Sequence, residues 1–168
     1  PISMHPRLAR AMVNLSGIKE GEKLLDPFCG TGGMLIEAGL VGAKILGSDV
    51  QKWIAEGCKK NLHYYGLDDF QIEALDVGDI GVFGKVDAVV TDFPYGRAST
   101  TKKEPVESLY NRAFFAISNV LKQGGRLVCA IPSTESIKIG SEYLDLVEVH
   151  PFHVHKSLIR YICIFMKS

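Results

Sequence analysis

Two short runs of this 168-residue chain hold residues that could do chemistry. The first is Asp26-Pro27-Phe28-Cys29-Gly30-Thr31-Gly32-Gly33, and the second is Asp92-Phe93-Pro94-Tyr95-Gly96. In the second run a carboxylate, a proline and an aromatic ring follow one another. Proline fixes its own φ and stiffens a turn. Tyr95 can stack on a planar base, and Asp92 can accept a hydrogen bond from an amino group. That set suits chemistry on an exocyclic base nitrogen, whose lone pair is delocalised into the ring and is a poor nucleophile. Acceptors that hold the N–H groups direct the lone pair at an electrophile and stabilise the positive charge that develops on transfer. Asp92 offers one acceptor and the backbone carbonyl of Phe93 the other.

The first run has the composition of a ligand loop. A close approach of backbone to ligand requires glycine, because a β-carbon would fill the space. A following helix would also present its N-terminal amides to an anionic group. Gly30, Gly32 and Gly33 fit a nucleotide-like ligand, but no Gly-Lys-Ser/Thr follows, so the run is not a Walker loop. Nor is it a clean GxGxxG, which argues against a dehydrogenase. Asp49 falls where an acid that grips ribose hydroxyls is expected. Asp76 is placed to take a hydrogen bond from an exocyclic amine, with Asp69 and Asp79 competing for that role.

The elements that must position these residues follow from periodicity. Arg7 to Leu15 reads as a helix, and Lys23 to Leu25 as a strand feeding the glycine loop. Met34 to Leu40 is a helix, Ala43 to Gly47 a strand ending at Ser48-Asp49, and Gln51 to about Tyr64 a helix. Phe70 to Ala74 and Val86 to Thr91 are strands, the latter delivering Asp92. Val106 to Leu121 is a long helix, with Gly124-Gly125 as its break and Arg126 to Ile131 as the fifth strand. Tyr143 to Val149 and Leu158 to Met166 are successive strands, so an antiparallel pair is expected there. Alternating strands and helices predict an open α/β, Rossmann-like sheet, mostly parallel, with ligands at its carboxyl edge.

Lys plus Arg and Asp plus Glu are 19 each, so the formal net charge is 0 and composition offers no basic footprint for nucleic acid. A local patch remains open: Arg7 and Arg10 near the start, and Arg97, Lys102 and Lys103 just past the Asp92 turn, are candidates for phosphate contacts. Apolar stretches all fall short of the roughly 18 residues of a membrane span. Cys29, Cys58, Cys129 and Cys163 form no CxxC pair, which argues against a disulfide framework and a zinc knuckle. Reduced thiols and a cytoplasmic setting are expected. His150, His153 and His155 are not expected to hold a metal, and no metal is expected elsewhere. The 168 residues read as a single catalytic domain. They begin with Pro rather than Met, as a piece of a longer protein would.

The two motifs together resemble the S-adenosylmethionine-dependent amino-methyltransferases, which carry an Asp/Asn-Pro-Pro-aromatic tetrad at this strand end. The opening His5-Pro6-Arg7-Leu8-Ala9-Arg10-Ala11 is similar to the archaeal tRNA guanine-N2 methyltransferases that modify guanosine 10. The resemblance covers essentially the whole chain. It implies S-adenosylmethionine as cofactor, bound by Asp26, Pro27, Phe28, Gly30, Thr31 and Gly32, by Asp49 with Val50, and by Asp76 with Val77. It implies Asp92, Phe93, Pro94 and Tyr95 as the catalytic turn around a flipped guanine. An N-terminal RNA-binding THUMP module in cis and tRNA are the implied partners. Phe93 departs from the family's usual proline and is expected to add apolar surface near the base.

The mechanism these residues suggest is direct in-line methyl transfer, without metal or covalent enzyme intermediate. Cys29 lies inside the cofactor loop, which argues against a nucleophilic role. The target base must leave its helix to be reached. The same turn suits adenine-N6 methylation of DNA, guanine-N2 methylation of ribosomal RNA, or glutamine methylation of a protein. A module that binds RNA or cofactor without turnover is a further alternative, disfavoured by the intact Asp92, Gly30 and Gly32.

Overall fold

The computed structural model describes residues 4–95 and 104–168. The chain opens with helix α1 (Pro6–Leu15), whose N-cap His5 accepts a hydrogen bond at Nδ1 from the Arg7 amide. Proline at the first helical position gives up no hydrogen bond there, since that amide would have no partner in the helix. Ala9, Met12 and Val13, at helical spacing, form its buried face. Then come β1 (Lys23–Asp26), α2 (Gly33–Leu40), β2 (Lys44–Asp49), α3 (Lys52–Tyr64) and β3 (Phe70–Ala74). A 3₁₀ segment, Val77–Phe83, precedes β4 (Val86–Asp92). The chain ends with α4 (Val106–Val120), β5 (Leu121–Ile131), α5 (Thr134–Ser141), β6 (Asp145–His155) and β7 (Leu158–Met166).

Seven strands form one sheet in the order β3-β2-β1-β4-β5-β7-β6. The β3, β2, β1, β4 and β5 ladders are parallel, and β7 runs antiparallel to both β5 and β6. The expected antiparallel C-terminal pair is therefore present, inserted so that β7 alone runs against the sheet. β1 is central, and the strand order reverses between β1 and β4. At that switch point the ends of β1, β2 and β4 open a crevice to one side of the sheet.

Both sheet faces are covered. The α4, α5 and 3₁₀ side buries Phe83, Phe93, Tyr110, Phe114 and Phe165, and the α1, α2 and α3 side buries Met12, Leu35, Leu62, Val128 and Ile164. Each such side chain contributes roughly 1.5–3 kcal/mol over leaving it in water.

Several boundaries differ from the sequence expectation. Gly124 and Gly125 do not break the helix, which has already ended at Val120; they lie inside β5. The β4–β5 register jumps from Val86↔Leu121 to Ala88↔Arg126, so the extra residues are accommodated as an irregularity there. Gly124 takes φ +77°, and a β-carbon on Gly125 would lie 2.9 Å from the Asp87 carbonyl oxygen. Helix α5 was not anticipated from its short, weakly periodic sequence; Ser133 caps it by accepting from the Ser136 amide. β6 continues through Pro151 to His155, where a connection was expected, because it is an edge strand that tolerates proline.

Candidate active site

The crevice is built from the carboxyl ends of β1, β2 and β4, which deliver Asp26, Asp49 and Asp92. Asp26 is buried. Its Oδ1 accepts from the Thr91 hydroxyl at 2.6 Å and from the Phe28 amide at 3.1 Å. Burial pushes its pKa up to about 7, against the opposing pull of those two donors, with Asp92 and Asp49 adding to the rise. Near neutral pH this carboxyl is therefore divided between its two protonation states.

The glycine-rich loop after β1 is held on three sides. The Cys29 amide donates to the Ser48 carbonyl at 2.9 Å, the Ser48 hydroxyl to the Pro27 carbonyl at 3.2 Å, and Asn61 Nδ2 of α3 to the Thr31 carbonyl at 2.8 Å. Gly32 is the N-cap of α2 at φ +94°, and a β-carbon there would meet Cys58 Sγ at 2.8 Å. Thr31 is exposed on the rim, whereas Pro27 is buried under it. Cys29 and Cys58 are both buried, and Cys58 with burial pushes the Cys29 thiol far up, so Cys29 is no thiolate nucleophile.

Asp49 accepts from the Gln51 amide at 2.9 Å, and burial raises its pKa. Val50 beside it is exposed. Asp76 caps the 3₁₀ segment through the Gly78 amide and pairs with Arg112 of α4 at 2.5 Å. Arg112 is shared with Glu104 at 2.8 Å, so this carboxylate is tied to α4. Val77 is 3% exposed and its side chain belongs to the core, so what it can offer the crevice is its backbone.

The Asp92–Tyr95 turn closes β4 and follows it. Tyr95 donates its hydroxyl to Asp92 Oδ1 at 2.6 Å, and Tyr110 donates to the Pro94 carbonyl at 2.8 Å. Burial raises the Asp92 pKa, while Tyr95 and Arg160 lower it. Burial and the Asp92 charge push the Tyr95 hydroxyl far up, which keeps it a donor. Phe93 corrects an expectation. It is fully buried, its ring 5.4 Å from Phe28, 5.0 Å from Tyr110 and 4.9 Å from Phe114, so it adds no apolar surface to the base site. Its amide donates to the Ala130 carbonyl at 3.1 Å. Gly96, Arg97, Lys102 and Lys103 lie outside the described residues.

Beside the crevice runs a groove of about 960 Å³, lined among others by His5, Thr31, Tyr64, Tyr65, Phe152 and Arg160. Arg160 and these aromatic residues were missed in the sequence. The signal for Arg160 is a lone cation in the otherwise apolar alternation of Leu158–Met166. Of the expected basic contacts, Arg7 is exposed, but Arg10 is paired with Glu37 at 2.8 Å. His150 pairs with Glu148, and among the described residues no three His, Cys, Asp or Glu side chains gather as a metal set.

A mostly parallel α/β sheet ordered 3-2-1-4-5-7-6, with a glycine loop after β1 and an acidic proline turn after β4, defines a methyltransferase domain. The chain belongs to the family UPF0020 (RMKL-like, methyltransferase domain), whose model matches residues 1–162. It is similar to the tRNA (guanine(10)-N2)-dimethyltransferase of Methanothermobacter thermautotrophicus, with 43% identity over 96% of this chain and 48% of the relative. The chain thus spans about half the length of that relative. A probable tRNA (guanine(10)-N2)-dimethyltransferase of Methanothermococcus thermolithotrophicus is 42% identical over 96% of this chain and 99% of the relative. Among solved structures, TrmN from Thermus thermophilus superposes with a TM-score of 0.84 at 20% identity, covering 98% of this chain and 49% of TrmN.

Proposed function

We propose that this chain transfers methyl groups from S-adenosylmethionine to the exocyclic N2 of a guanosine in tRNA, guanosine 10. The observation that carries the reading is the acidic turn. Asp92 stands at the carboxyl edge of β4, held by a tyrosine hydroxyl, beside a glycine loop that is rigidly tied to β2 and α3. The relatives' names supply the substrate and the nucleotide.

The donor set fits the cofactor. Gly30, at positive φ with nothing within 4 Å of a β-carbon, keeps a side chain out of the open space at the loop, and Gly32 lets the loop pack closely against Cys58. Asp49 ends β2, where a carboxylate can take two ribose hydroxyls. Asp26, with its pKa near 7, would ionise beside a cationic ligand. The bound cofactor supplies an electrophilic methyl on a positively charged sulfur. The chain's own part is positioning. Asp92 and the Phe93 carbonyl accept hydrogen bonds from the two amine N–H groups, Tyr95 offers its ring to the base, and the proton that the methylated nitrogen sheds would pass to Asp92 and on to solvent. A carboxylate offers about four lone-pair sites, so the Tyr95 bond leaves room for the amine. After one transfer a single N–H remains for Asp92, which supports the two rounds that the relatives' names state.

An RNA-binding module in cis, of the THUMP kind, completes the proposed enzyme, which works in the cytoplasm. The half-length coverage of the Methanothermobacter relative and the four buried free thiols support these two points. No helix among the described residues is long and apolar enough to cross a membrane.

The test is labelled methyl transfer to unmodified tRNA, with a second transcript changed at guanosine 10 and the Asp92→Ala variant beside the natural protein. Both controls should lose transfer, the variant by roughly 10²–10³-fold, the range for removing one preorganised polar group from a transition state. Its cofactor affinity should hold. Transfer to ribosomal RNA or DNA in preference to tRNA overturns the reading.

A further inference from the structure

Arg160 belongs to neither motif, yet it touches two members of the catalytic turn. Its Nη1 donates to Asp92 Oδ2 at 3.2 Å, and its guanidinium carbon lies 4.7 Å from the centre of the Tyr95 ring. Since Tyr95 itself donates to Asp92 Oδ1, the three side chains close a triangle. We propose that Arg160 is a positioning residue for methyl transfer: it fixes Asp92 as an acceptor aimed at the substrate amine and holds Tyr95 flat beside it. This rests on the functional reading above.

The placement of Arg160 argues for that role. On β7 it continues the row of Ile162 and Ile164, both buried against the α1 and α2 side of the sheet. Where that row reaches the carboxyl edge, the side chain is a cation that is only 14% exposed. Its Nε is buried without a hydrogen-bond partner among the described residues. An orphaned buried donor destabilises a fold. Packing alone would be better served by an apolar residue, so this arrangement points to the site rather than to stability.

The charges around Asp92 support it further. The titratable groups that act on Asp92 or feel its charge are Tyr95 from its own turn, Asp26 from β1, Tyr110 from α4, Cys129 from β5 and Arg160 from β7. Among these described residues only Arg160 is positive. Burial favours a neutral Asp92, and an ionised Asp26 would push the same way. A neutral carboxyl would turn a proton toward the amine and could not stabilise positive charge on it. Arg160 opposes both effects. Its bond occupies one lone pair of Oδ2 and leaves the other for the substrate.

The experiment compares the natural protein with Arg160→Lys and Arg160→Gln. The Asp92 carboxyl is titrated by carbon-13 NMR, single-turnover transfer to tRNA is followed from pH 5.5 to 9, and S-adenosylmethionine affinity is measured by calorimetry. In Arg160→Gln the Asp92 midpoint should rise by about one unit. The acid limb of the rate profile should move with it, a tenfold loss at low pH for that shift. The loss should shrink toward pH 9, Lys should restore most of the natural behaviour, and cofactor affinity should not change. An unmoved Asp92 midpoint, or a loss equal at all pH values, overturns the proposal. If the natural protein methylates no tRNA, the functional reading fails, and the Asp92 titration still decides the role of Arg160.

Discussion

Thr91 donates its hydroxyl to Asp26 Oδ1 across 2.6 Å, joining the next-to-last residue of β4 to the last residue of β1. Both residues are buried. Beyond the backbone ladder that β1 and β4 share, this bond ties the residue before the Asp92 turn to the residue that opens the glycine loop. Thr91→Val keeps the branched shape and removes the donor. Asp26 should then titrate higher still, and stability should fall by about 1–2 kcal/mol, the usual loss when a buried acceptor loses a partner. Denaturant titration beside an NMR titration of Asp26 reads both.

The raised pKa of Asp26 makes a pH dependence. Its ordinary value of 3.8 becomes about 7 in the fold. Between those values the native state holds more protons than the unfolded one, so stability falls as pH rises. The contribution is fully present below 3.8 and is lost as pH passes about 7. Three units amount to on the order of 4 kcal/mol. Asp26→Asn should flatten this part of the curve, and its advantage over the natural protein should be greater at pH 8.5 than at pH 4.5. Equal pH slopes for the two proteins would contradict the assignment. Cofactor binding should release protons near pH 7, which calorimetry in buffers of different ionisation enthalpy detects.

Phe93 stands where the resembling family has proline. Here its ring joins Phe28, Tyr110 and Phe114, and its amide is bonded to Ala130. Phe93→Pro removes both. We expect a loss of about 3–5 kcal/mol, in the range for emptying an aromatic site in a core. Phe93→Leu should lose less. Thermal unfolding with and without cofactor checks both variants.

Gly32→Ala meets two separate obstacles. The backbone sits at φ +94°, and the new β-carbon would lie 2.8 Å from Cys58 Sγ. Backbone strain of this kind costs about 1–2 kcal/mol by itself. Cofactor affinity should drop as the loop shifts. The double variant Gly32→Ala, Cys58→Ala should relieve the contact and leave the backbone strain, giving partial recovery of the melting temperature. Full recovery would show that φ is of no consequence at this site.

The sheet and its direction were legible because β1, β2 and β4 are short apolar runs that end in Asp at Asp26, Asp49 and Asp92. The Asp92–Tyr95 turn and the glycine loop were legible for the same reason: their residue types are rare together and lie in continuous sequence. Arg160 was not, because its contact with Asp92 spans 68 residues and depends on β7 inserting between β5 and β6. The burial of the Phe93 and Val77 side chains was not legible, because a residue next to a candidate site residue in sequence need not face the same way. In both cases the core took the side chain, which no spacing rule in the turn reveals.

β6 forms one free edge of the sheet, and ten of its eleven residues are exposed. An edge this long is a template for strand addition by another chain. Pro151 interrupts it: with no N–H to offer, it breaks the row of donors an intruding strand would need. Glu148, bonded to His150, adds a carboxylate just before that break. The hairpin that carries Arg160 thus lies along the groove with its outer edge guarded against strand addition.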